Sequence, residues 1–209
     1  MGPRVVRGGR RGPRRRGGDA RSVTGPHPAD GPPIPPAGEG APFDLVLLDR
    51  DGTLNVQVVD DYVREPGALR LLPGAAAAVG RLRAAGCRVV VVTNQRGVSR
   101  GLMTLTDLDA VHERLEEELA ARGAALDAVL SCVHAAGECG CRKPAPGLLD
   151  EAFRRAPWAA RERSVLVGDS GSDLAAARAA GVPARRVGPA GAAPSLLDVV
   201  TDLLQGRDG

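Results

Sequence analysis

Residues 44–53 read DLVLLDRDGT, and this stretch decides the fold class. Four consecutive apolar residues, Leu45 to Leu48, are typical of a short strand that is buried on both faces of a parallel sheet. Two carboxylates, Asp49 and Asp51, follow the strand at once, and a glycine and a threonine come next. Because buried charges need partners, we expect both carboxylates to leave the strand toward a ligand crevice rather than into the core.

The rest of the chain repeats this alternation of short apolar runs and amphipathic stretches. Buried parallel strands that are separated by helices have this pattern. The predicted strands cover residues 45–48, 89–92, 128–133, 164–168 and 184–187, and the predicted helices cover residues 73–86, 104–122, 147–155, 173–180 and 194–204. The sequence therefore predicts an α/β fold with a doubly wound, Rossmann-like, mainly parallel sheet of about five strands.

Polar side chains cluster where the predicted strands end. Thr93, Asn94 and Gln95 follow the second strand, His134 follows the third and Asp169 follows the fourth. Ligands of doubly wound sheets bind beyond the carboxyl ends of the strands. We therefore expect one site at this edge of the sheet.

The residue types at these strand ends suit phosphoryl transfer. Asp49 is predicted to act as a nucleophile that forms an acyl phosphate, with Asp51 as the proton donor and acceptor beside it. Asp49, the backbone carbonyl of Asp51 and Asp169 offer the oxygen ligands that Mg²⁺ prefers. Lys143 and Thr93 are predicted to bind the phosphoryl oxygens. Each motif alone could be a turn, a helix cap or a surface position, but the ordered set favours a magnesium-dependent phosphatase.

A cluster of cysteine and histidine lies just before Lys143. Cys132, His134, Cys139 and Cys141 provide three thiols and one imidazole within ten residues, which are the ligand types of a tetrahedral Zn²⁺ site. The alternative is a loop of free cysteines with a surface histidine. Since all four ligands come from the protein, we expect a structural zinc that holds the loop carrying Lys143.

Residues 1–41 differ in composition from the rest of the chain. They are rich in Gly, Pro and Arg, with eight arginines against three carboxylates, a net charge of +5, whereas the rest of the chain has a net charge of −2. The positive charge of the chain therefore belongs to this segment. We expect residues 1–41 to be a disordered extension of one catalytic domain over residues 42–209. A basic arm for RNA, a membrane or a partner protein is the alternative.

Composition also limits the expected location and partners. No run reaches the roughly 18 to 20 apolar residues of a membrane-spanning helix, and no secretion signal follows the arginine pairs. We therefore expect a cytoplasmic protein without a membrane partner. The near-neutral domain has few aromatic residues, which argues against a nucleic-acid partner. We expect the protein to be a monomer.

From about residue 43 to residue 205 the chain resembles the haloacid dehalogenase superfamily of phosphohydrolases. The resemblance rests on the Asp-x-Asp-Gly-Thr motif and the ordered threonine, lysine and Gly-Asp-x-x-x-Asp that follow it. It implies the roles given above for Asp49, Asp51, Thr93, Lys143 and Asp169, and it adds Asp173 as an accessory acidic residue. Neither stretch in which this family inserts a cap domain is long enough to hold one, so we expect an open site.

The chain is similar in more detail to the subgroup that contains the D-glycero-D-manno-heptose 1,7-bisphosphate 7-phosphatases and the histidinol-phosphate phosphatases. The shared segments are Cys-x-His, Cys-x-Cys-Arg-Lys-Pro, Asp-Arg-Asp-Gly-Thr-x-Asn and Thr-Asn-Gln. This resemblance implies that the residues in contact with the substrate are Asn94, Gln95, Arg96, Arg142 and Lys143. The chain departs from the subgroup in a longer loop before Tyr62, with Asp61 where a glycine is usual, and in Ser170 after the metal aspartate.

The expected substrate is therefore a small phosphorylated sugar, preferably a heptose bisphosphate of carbohydrate or nucleotide-sugar biosynthesis. Histidinol phosphate or another small sugar phosphate is the alternative. Two further classes stay open: a receiver-like signalling domain and a zinc-stabilised nucleic-acid module. A receiver domain carries its phosphoacceptor after the third strand, whereas Asp49 follows the first.

Overall fold

A parallel sheet of five strands forms the centre of the structure, a computed structural model that describes residues 31–189 and 194–206. The strands lie in the order β3-β2-β1-β4-β5, and each neighbouring pair is parallel. Their bounds are β1 Leu45–Leu48, β2 Arg88–Asn94, β3 Ala128–Cys132, β4 Val165–Gly168 and β5 Ala184–Arg186. This arrangement confirms the predicted doubly wound α/β fold.

Five helices cover the two faces of the sheet. Their bounds are α1 Ala75–Ala84, α2 Leu105–Ala120, α3 Gly147–Arg155, α4 Gly171–Ala180 and α5 Leu196–Leu204. Every predicted strand and helix is present, and the ends differ from the predicted ones by no more than two residues. None of these helices has the length and apolarity that crossing a bilayer requires.

Strand β1 is buried on both faces, which explains its continuous apolar sequence. Successive side chains of a strand point to opposite faces. Val46 and Leu48 pack with residues of α1, α2 and α5, whereas Leu45 and Leu47 pack with residues of α3 and α4. All four side chains are fully buried. β1 is therefore held from both sides, and the residues after it start from a rigid position.

Two connections approach the carboxyl edge of the sheet. Residues 49–74 join β1 to α1 and contain one short 3-10 helix, Pro66–Ala68. Residues 133–146 join β3 to α3 and contain most of the predicted zinc ligands. Neither connection folds into a separate unit, so the described part of the chain contains no large cap domain, as expected.

Residues 31–41 pack against the domain, which differs from the disorder expected for this segment. Ile34 is only 2% exposed. Its N–H donates to the carbonyl oxygen of Arg155 over 2.7 Å, and Trp158 Nε1 donates to the Ile34 carbonyl oxygen over 2.9 Å. These contacts offset the entropy cost of ordering the backbone. The remainder of the predicted extension, residues 1–30, lies outside the described residues.

The packing of Ile34 leads to a stability prediction. Ile34→Ala should lower the free energy of unfolding by about 2 to 5 kcal/mol, because it removes buried methyl groups and leaves a cavity. Ile34→Val should cost only about 0.5 to 1.5 kcal/mol. Urea denaturation measures both values. A change within about 0.5 kcal/mol for Ile34→Ala, as for an exposed side chain, would contradict this packing.

Candidate active site

A cleft of ≈ 180 Å³ lies at the carboxyl ends of β1, β2 and β4. It forms there because β1 lies between β2 and β4 in the sheet, so that the residues after these strands converge. The cleft is lined by Asp49, Asp51, Gln57, Val58, Asp61, Tyr62, Thr93, Asn94, Lys143, Asp169, Ser170, Ser172 and Asp173. The structure thus brings all the predicted catalytic side chains to one place.

Lys143 occupies the centre of the charge arrangement. Its Nζ donates to Asp49 Oδ1 over 2.6 Å and to the Val92 carbonyl oxygen over 2.7 Å, and it forms an ion pair of 2.6 Å with Asp173 Oδ1. The Lys143 side chain is only 2% exposed, so these oxygens replace water around the ammonium. Burial alone would lower the pKa of Lys143, but Asp49 and Asp173 outweigh it and raise the pKa. The ammonium therefore stays charged.

The carboxylates around Lys143 carry more negative charge than one ammonium can balance. Burial raises the pKa of Asp49 to about 7, even though Lys143 acts in the opposite direction. Burial also raises the pKa of Asp169, and the neighbouring charge of Asp173 adds to that effect. The raised pKa values mean that these carboxylates bind protons readily. A metal cation that replaces the protons would be favoured for the same reason, because it also neutralises the negative charge.

Three of these carboxylates could hold a metal ion. Oxygen atoms of Asp49, Asp169 and Asp173 lie within 4.8 Å of one another. An all-oxygen donor set with this spacing fits Mg²⁺. Gly52 has a φ of 84° and leaves the space that the cluster needs, because a Cβ at this position would lie 2.3 Å from Asp169 Oδ2. The carboxylate of Asp51 is not a member of this cluster.

Asp51 instead accepts hydrogen bonds from three other side chains. Arg50 Nη2 and Gln95 Nε2 donate to Oδ2 over 2.9 Å and 2.8 Å, and Asn55 Nδ2 donates to Oδ1 over 2.9 Å. Burial alone would raise the pKa of Asp51, but the Arg50 guanidinium and these hydrogen bonds outweigh it and hold the pKa below its usual range. Arg50 and Asn55 are fully buried site residues that the sequence analysis missed. Their signal in the sequence was their place in the segment Asp-Arg-Asp-Gly-Thr-x-Asn, in which no role was assigned to these two residues.

The three polar residues at the end of β2 have different surroundings. Thr93 lines the cleft, and its Oγ1 accepts a hydrogen bond from Gln95 Nε2 over 2.9 Å. Asn94 also lines the cleft, but its side-chain amide bonds the backbone of Lys143. Gln95 is fully buried and does not line the cleft.

The two arginines that the resemblance assigns to substrate binding lie outside the cleft lining. Arg96 follows Gln95, and Arg142 precedes Lys143. A buried nitrogen of each guanidinium, Nε of Arg96 and Nη1 of Arg142, has no hydrogen-bond partner among the described residues. Buried donors rarely stay without a partner in proteins. Both arginines therefore retain capacity to bind an anion.

Cys132, His134, Cys139 and Cys141 form a second group of potential metal ligands, with their ligand atoms within 4.8 Å of one another. Cys139 Sγ lies 3.5 Å from Cys132 Sγ and 3.1 Å from Cys141 Sγ. His134 Nδ1 lies 3.6 Å from Cys132 Sγ and 3.2 Å from Cys141 Sγ. Ligands of a tetrahedral zinc lie roughly 3.3 to 3.8 Å apart. The distances from Cys132 fall in this range, and the two distances from Cys141 are slightly shorter, so the donor set is one that zinc could bind with a small outward movement of Cys141.

The electrostatics of this group also suit metal binding. A hydrogen bond from Cys141 is the largest effect that lowers the pKa of Cys132, to about 5. The same hydrogen bond raises the pKa of Cys141. One thiolate is thus available at neutral pH to begin metal binding, which needs deprotonated cysteines.

Comparison with known proteins supports the same assignment. Residues 45–181 match the family model of the haloacid dehalogenase-like hydrolases. A Mycobacterium bovis protein named D-glycero-alpha-D-manno-heptose-1,7-bisphosphate 7-phosphatase is 48% identical over 130 residues, which cover 62% of this chain and 68% of the relative. A Rhodopseudomonas palustris protein named for the beta anomer of the same substrate is 41% identical over 148 residues, which cover 67% of this chain and 81% of the relative.

A solved structure agrees with these sequence matches. The crystal structure of the D,D-heptose 1,7-bisphosphate phosphatase from B. bronchiseptica, complexed with magnesium and phosphate, superimposes with a TM-score of 0.72 and 36% sequence identity. The match covers 78% of this chain and 98% of the other. With its five-stranded sheet and the convergence of Asp49, Asp51, Lys143 and Asp169 at one cleft, this chain belongs to the haloacid dehalogenase-like hydrolases and is a phosphatase of that family.

Proposed function

We propose that this phosphatase removes the 7-phosphate of D-glycero-D-manno-heptose 1,7-bisphosphate through an aspartyl phosphate on Asp49. The observation that best supports the catalytic part of this proposal is the contact of the buried Lys143 ammonium with Asp49 and Asp173. The names of the relatives support the substrate, and they include both the alpha and the beta anomer. Histidinol phosphate is the alternative substrate.

The proposed reaction has two steps. In the first, a carboxylate oxygen of Asp49 bonds to phosphorus, the ester bond to the sugar oxygen breaks, and Asp51 gives that oxygen a proton. In the second, Asp51 takes a proton from water, the water oxygen bonds to phosphorus, and the bond to Asp49 breaks to release phosphate. The low pKa of Asp51 favours the carboxylate form, which the second step uses. Lys143 and the Thr93 hydroxyl would bind the phosphoryl oxygens.

The two metal sites would support this chemistry in different ways. Asp49, Asp169 and the backbone carbonyl of Asp51 would hold Mg²⁺, with Asp173 beside them, and the ion would neutralise charge on the phosphoryl group. The cysteine and histidine cluster would hold a structural Zn²⁺. Because Cys141 is two residues from Lys143, zinc would also fix the loop that carries the lysine.

The remote end of the substrate would be held by positive charge. Arg96 and Arg142, with their unpartnered nitrogens, can bind a second phosphate bidentately. Gln57, Asp61 and Tyr62 also line the cleft and would contact the sugar.

Mg²⁺ should stabilise the protein more at about pH 8 than at about pH 5. The raised pKa of Asp49, about 7 against an ordinary 3.8, stabilises the metal-free fold at acidic pH, and this contribution is lost as the pH rises through 7. Mg²⁺ must displace that proton at acidic pH but meets a free carboxylate at basic pH. Thermal unfolding with and without Mg²⁺ measures the difference. Asp49→Asn should reduce the pH dependence, with the part that comes from the raised pKa of Asp169 remaining. An equal Mg²⁺ effect at both pH values in the wild type would contradict the assignment.

A phosphate-release screen tests the substrate. With Mg²⁺ present, we expect faster turnover of an anomer of heptose 1,7-bisphosphate than of histidinol phosphate or p-nitrophenyl phosphate. Asp49→Asn should abolish turnover of all of them, because the nucleophile is lost. Faster turnover of histidinol phosphate would select the alternative substrate, and full activity of Asp49→Asn would refute the aspartyl-phosphate mechanism.

Arg142→Met should weaken binding of a bisphosphate without affecting a substrate that has one phosphate. Loss of a charge-assisted contact of about 1.5 to 3 kcal/mol predicts a rise in KM of about 10- to 100-fold for heptose 1,7-bisphosphate. The kinetic constants for p-nitrophenyl phosphate should stay within about twofold of the wild type. Arg178→Met, at an exposed position near the end of α4, removes the same charge as a control. Equal losses on both substrates would contradict a role in binding the second phosphate.

A further inference from the structure

Asn94, the last residue of β2, holds the backbone of Lys143 with both ends of its side-chain amide. Asn94 Nδ2 donates to the Lys143 carbonyl oxygen over 3.0 Å, and the Lys143 N–H donates to Asn94 Oδ1 over 3.1 Å. The end of β2 is itself fixed, because Asn94 pairs in register with Cys132 of β3. The two hydrogen bonds therefore attach the loop before α3 to the sheet at the residue whose ammonium contacts Asp49.

Gln95 connects two other catalytic side chains from a fully buried position. Its Nε2 donates to Asp51 Oδ2 over 2.8 Å and to Thr93 Oγ1 over 2.9 Å. A hydroxyl that accepts a hydrogen bond still has its own proton to donate. The contact with Gln95 therefore orients Thr93 so that its O–H is available to a phosphoryl oxygen.

We propose that Asn94 and Gln95 are positioning residues for phosphoryl transfer, which act through Lys143, Asp51 and Thr93 rather than by touching the sugar. The inference rests on the proposed function, because it takes those three residues as the catalytic groups. It replaces the expectation that both side chains contact the substrate. The amide of Asn94 is engaged at both ends, and Gln95 has no exposed surface.

Loss of either side chain should misplace a catalytic group without unfolding its surroundings. The loop around Lys143 also has internal hydrogen bonds that do not involve Asn94 or Gln95, since the Ala145 N–H donates to the Arg142 carbonyl oxygen and the Gly147 N–H donates to the Gly140 carbonyl oxygen. Lys143 would keep its ammonium but lose its exact backbone anchor. A displacement of about 1 Å can lower a reaction rate by about 100-fold.

Two substrates separate positioning from sugar binding. In Asn94→Ala and Gln95→Ala, we expect kcat to fall by about 10- to 100-fold for both p-nitrophenyl phosphate and heptose 1,7-bisphosphate, by the same factor, with KM within about threefold of the wild type. A loss confined to the bisphosphate, or no loss with either substrate, would overturn the proposal. Turnover by the wild type and its loss in Asp49→Asn test the proposed function. The ratio of kcat in Asn94→Ala or Gln95→Ala to kcat in the wild type tests this inference separately.

A variant of Asp127, which precedes β3 and contacts the start of β2, controls for simple destabilisation. Asp127 forms ion pairs with Arg83 and Arg88 and accepts a hydrogen bond from the Val89 N–H. Asp127→Asn should lower Tm but leave kcat and KM of the folded enzyme unchanged for both substrates. If Asp127→Asn lowers kcat as much as Asn94→Ala at a similar loss of Tm, positioning is refuted.

A second measurement reports on the Asn94 contact without turnover. Lys143 is the only lysine of the chain, so untagged protein labelled with ¹⁵N-lysine has a single lysine backbone amide signal in its NMR spectrum. In Asn94→Ala we expect this amide to exchange with D₂O at least about tenfold faster than in the wild type, because the bond to Asn94 Oδ1 is lost. Asp127→Asn should not increase the exchange rate of the Lys143 amide in this way, because the hydrogen bond to Asn94 remains. Unchanged exchange in Asn94→Ala would overturn the proposal for Asn94, whatever the activity of the enzyme.

Discussion

The arrangement of the site depends on one buried group of three charges, in which the ammonium of Lys143 forms ion pairs with the carboxylates of Asp49 and Asp173. A buried charge without partners costs several kcal/mol, so each member of this group requires the others. The Val92 carbonyl oxygen completes the surroundings of the ammonium. Much of the nearby structure can be understood as holding these groups at a fixed distance while the cleft stays open to a substrate.

The order of the strands in the sheet sets the distances between the groups of the site. β1 lies at the centre of the order β3-β2-β1-β4-β5 and is packed on both faces, so Asp49, the proposed nucleophile, follows a strand that is held from both sides. The neighbours β2 and β4 bring Thr93 and Asp169, the residues proposed to bind phosphate and metal, to the same edge. Lys143 comes from a loop rather than a strand, and a loop requires additional attachment. Asn94 gives one attachment point, and the cysteine and histidine cluster gives another.

The two carboxylates after β1 illustrate how surroundings separate similar residues. Asp49 is buried beside other carboxylates, and its burial raises its pKa, while the ammonium of Lys143 contacts it and acts in the opposite direction. Asp51 is buried as well, but a guanidinium and two amide groups bind its oxygens and lower its pKa. The proposed roles follow this division, with the cation-binding carboxylate as nucleophile and the other as the group that exchanges protons.

Much of the fold could be predicted from local sequence patterns, because buried strands and amphipathic helices leave a periodic record in the chain. The potential zinc ligands were also predictable, since a dense group of cysteines and histidine has few other uses. Patterns of this kind are local, and they gave no sign that residues 31–41 pack on the domain through Ile34.

The sequence by itself determined the sheet, the identity of the groups at its edge and their order along the chain. Only the tertiary structure decided which side chains contact one another: that Arg50 and Asn55 bind Asp51, and that Asn94 bonds the backbone of a residue 49 positions away. The physical reason is that a hydrogen bond depends on distance and direction in space. Partners that are far apart in sequence share no period or spacing that could reveal them, and they meet only when the sheet has set their positions.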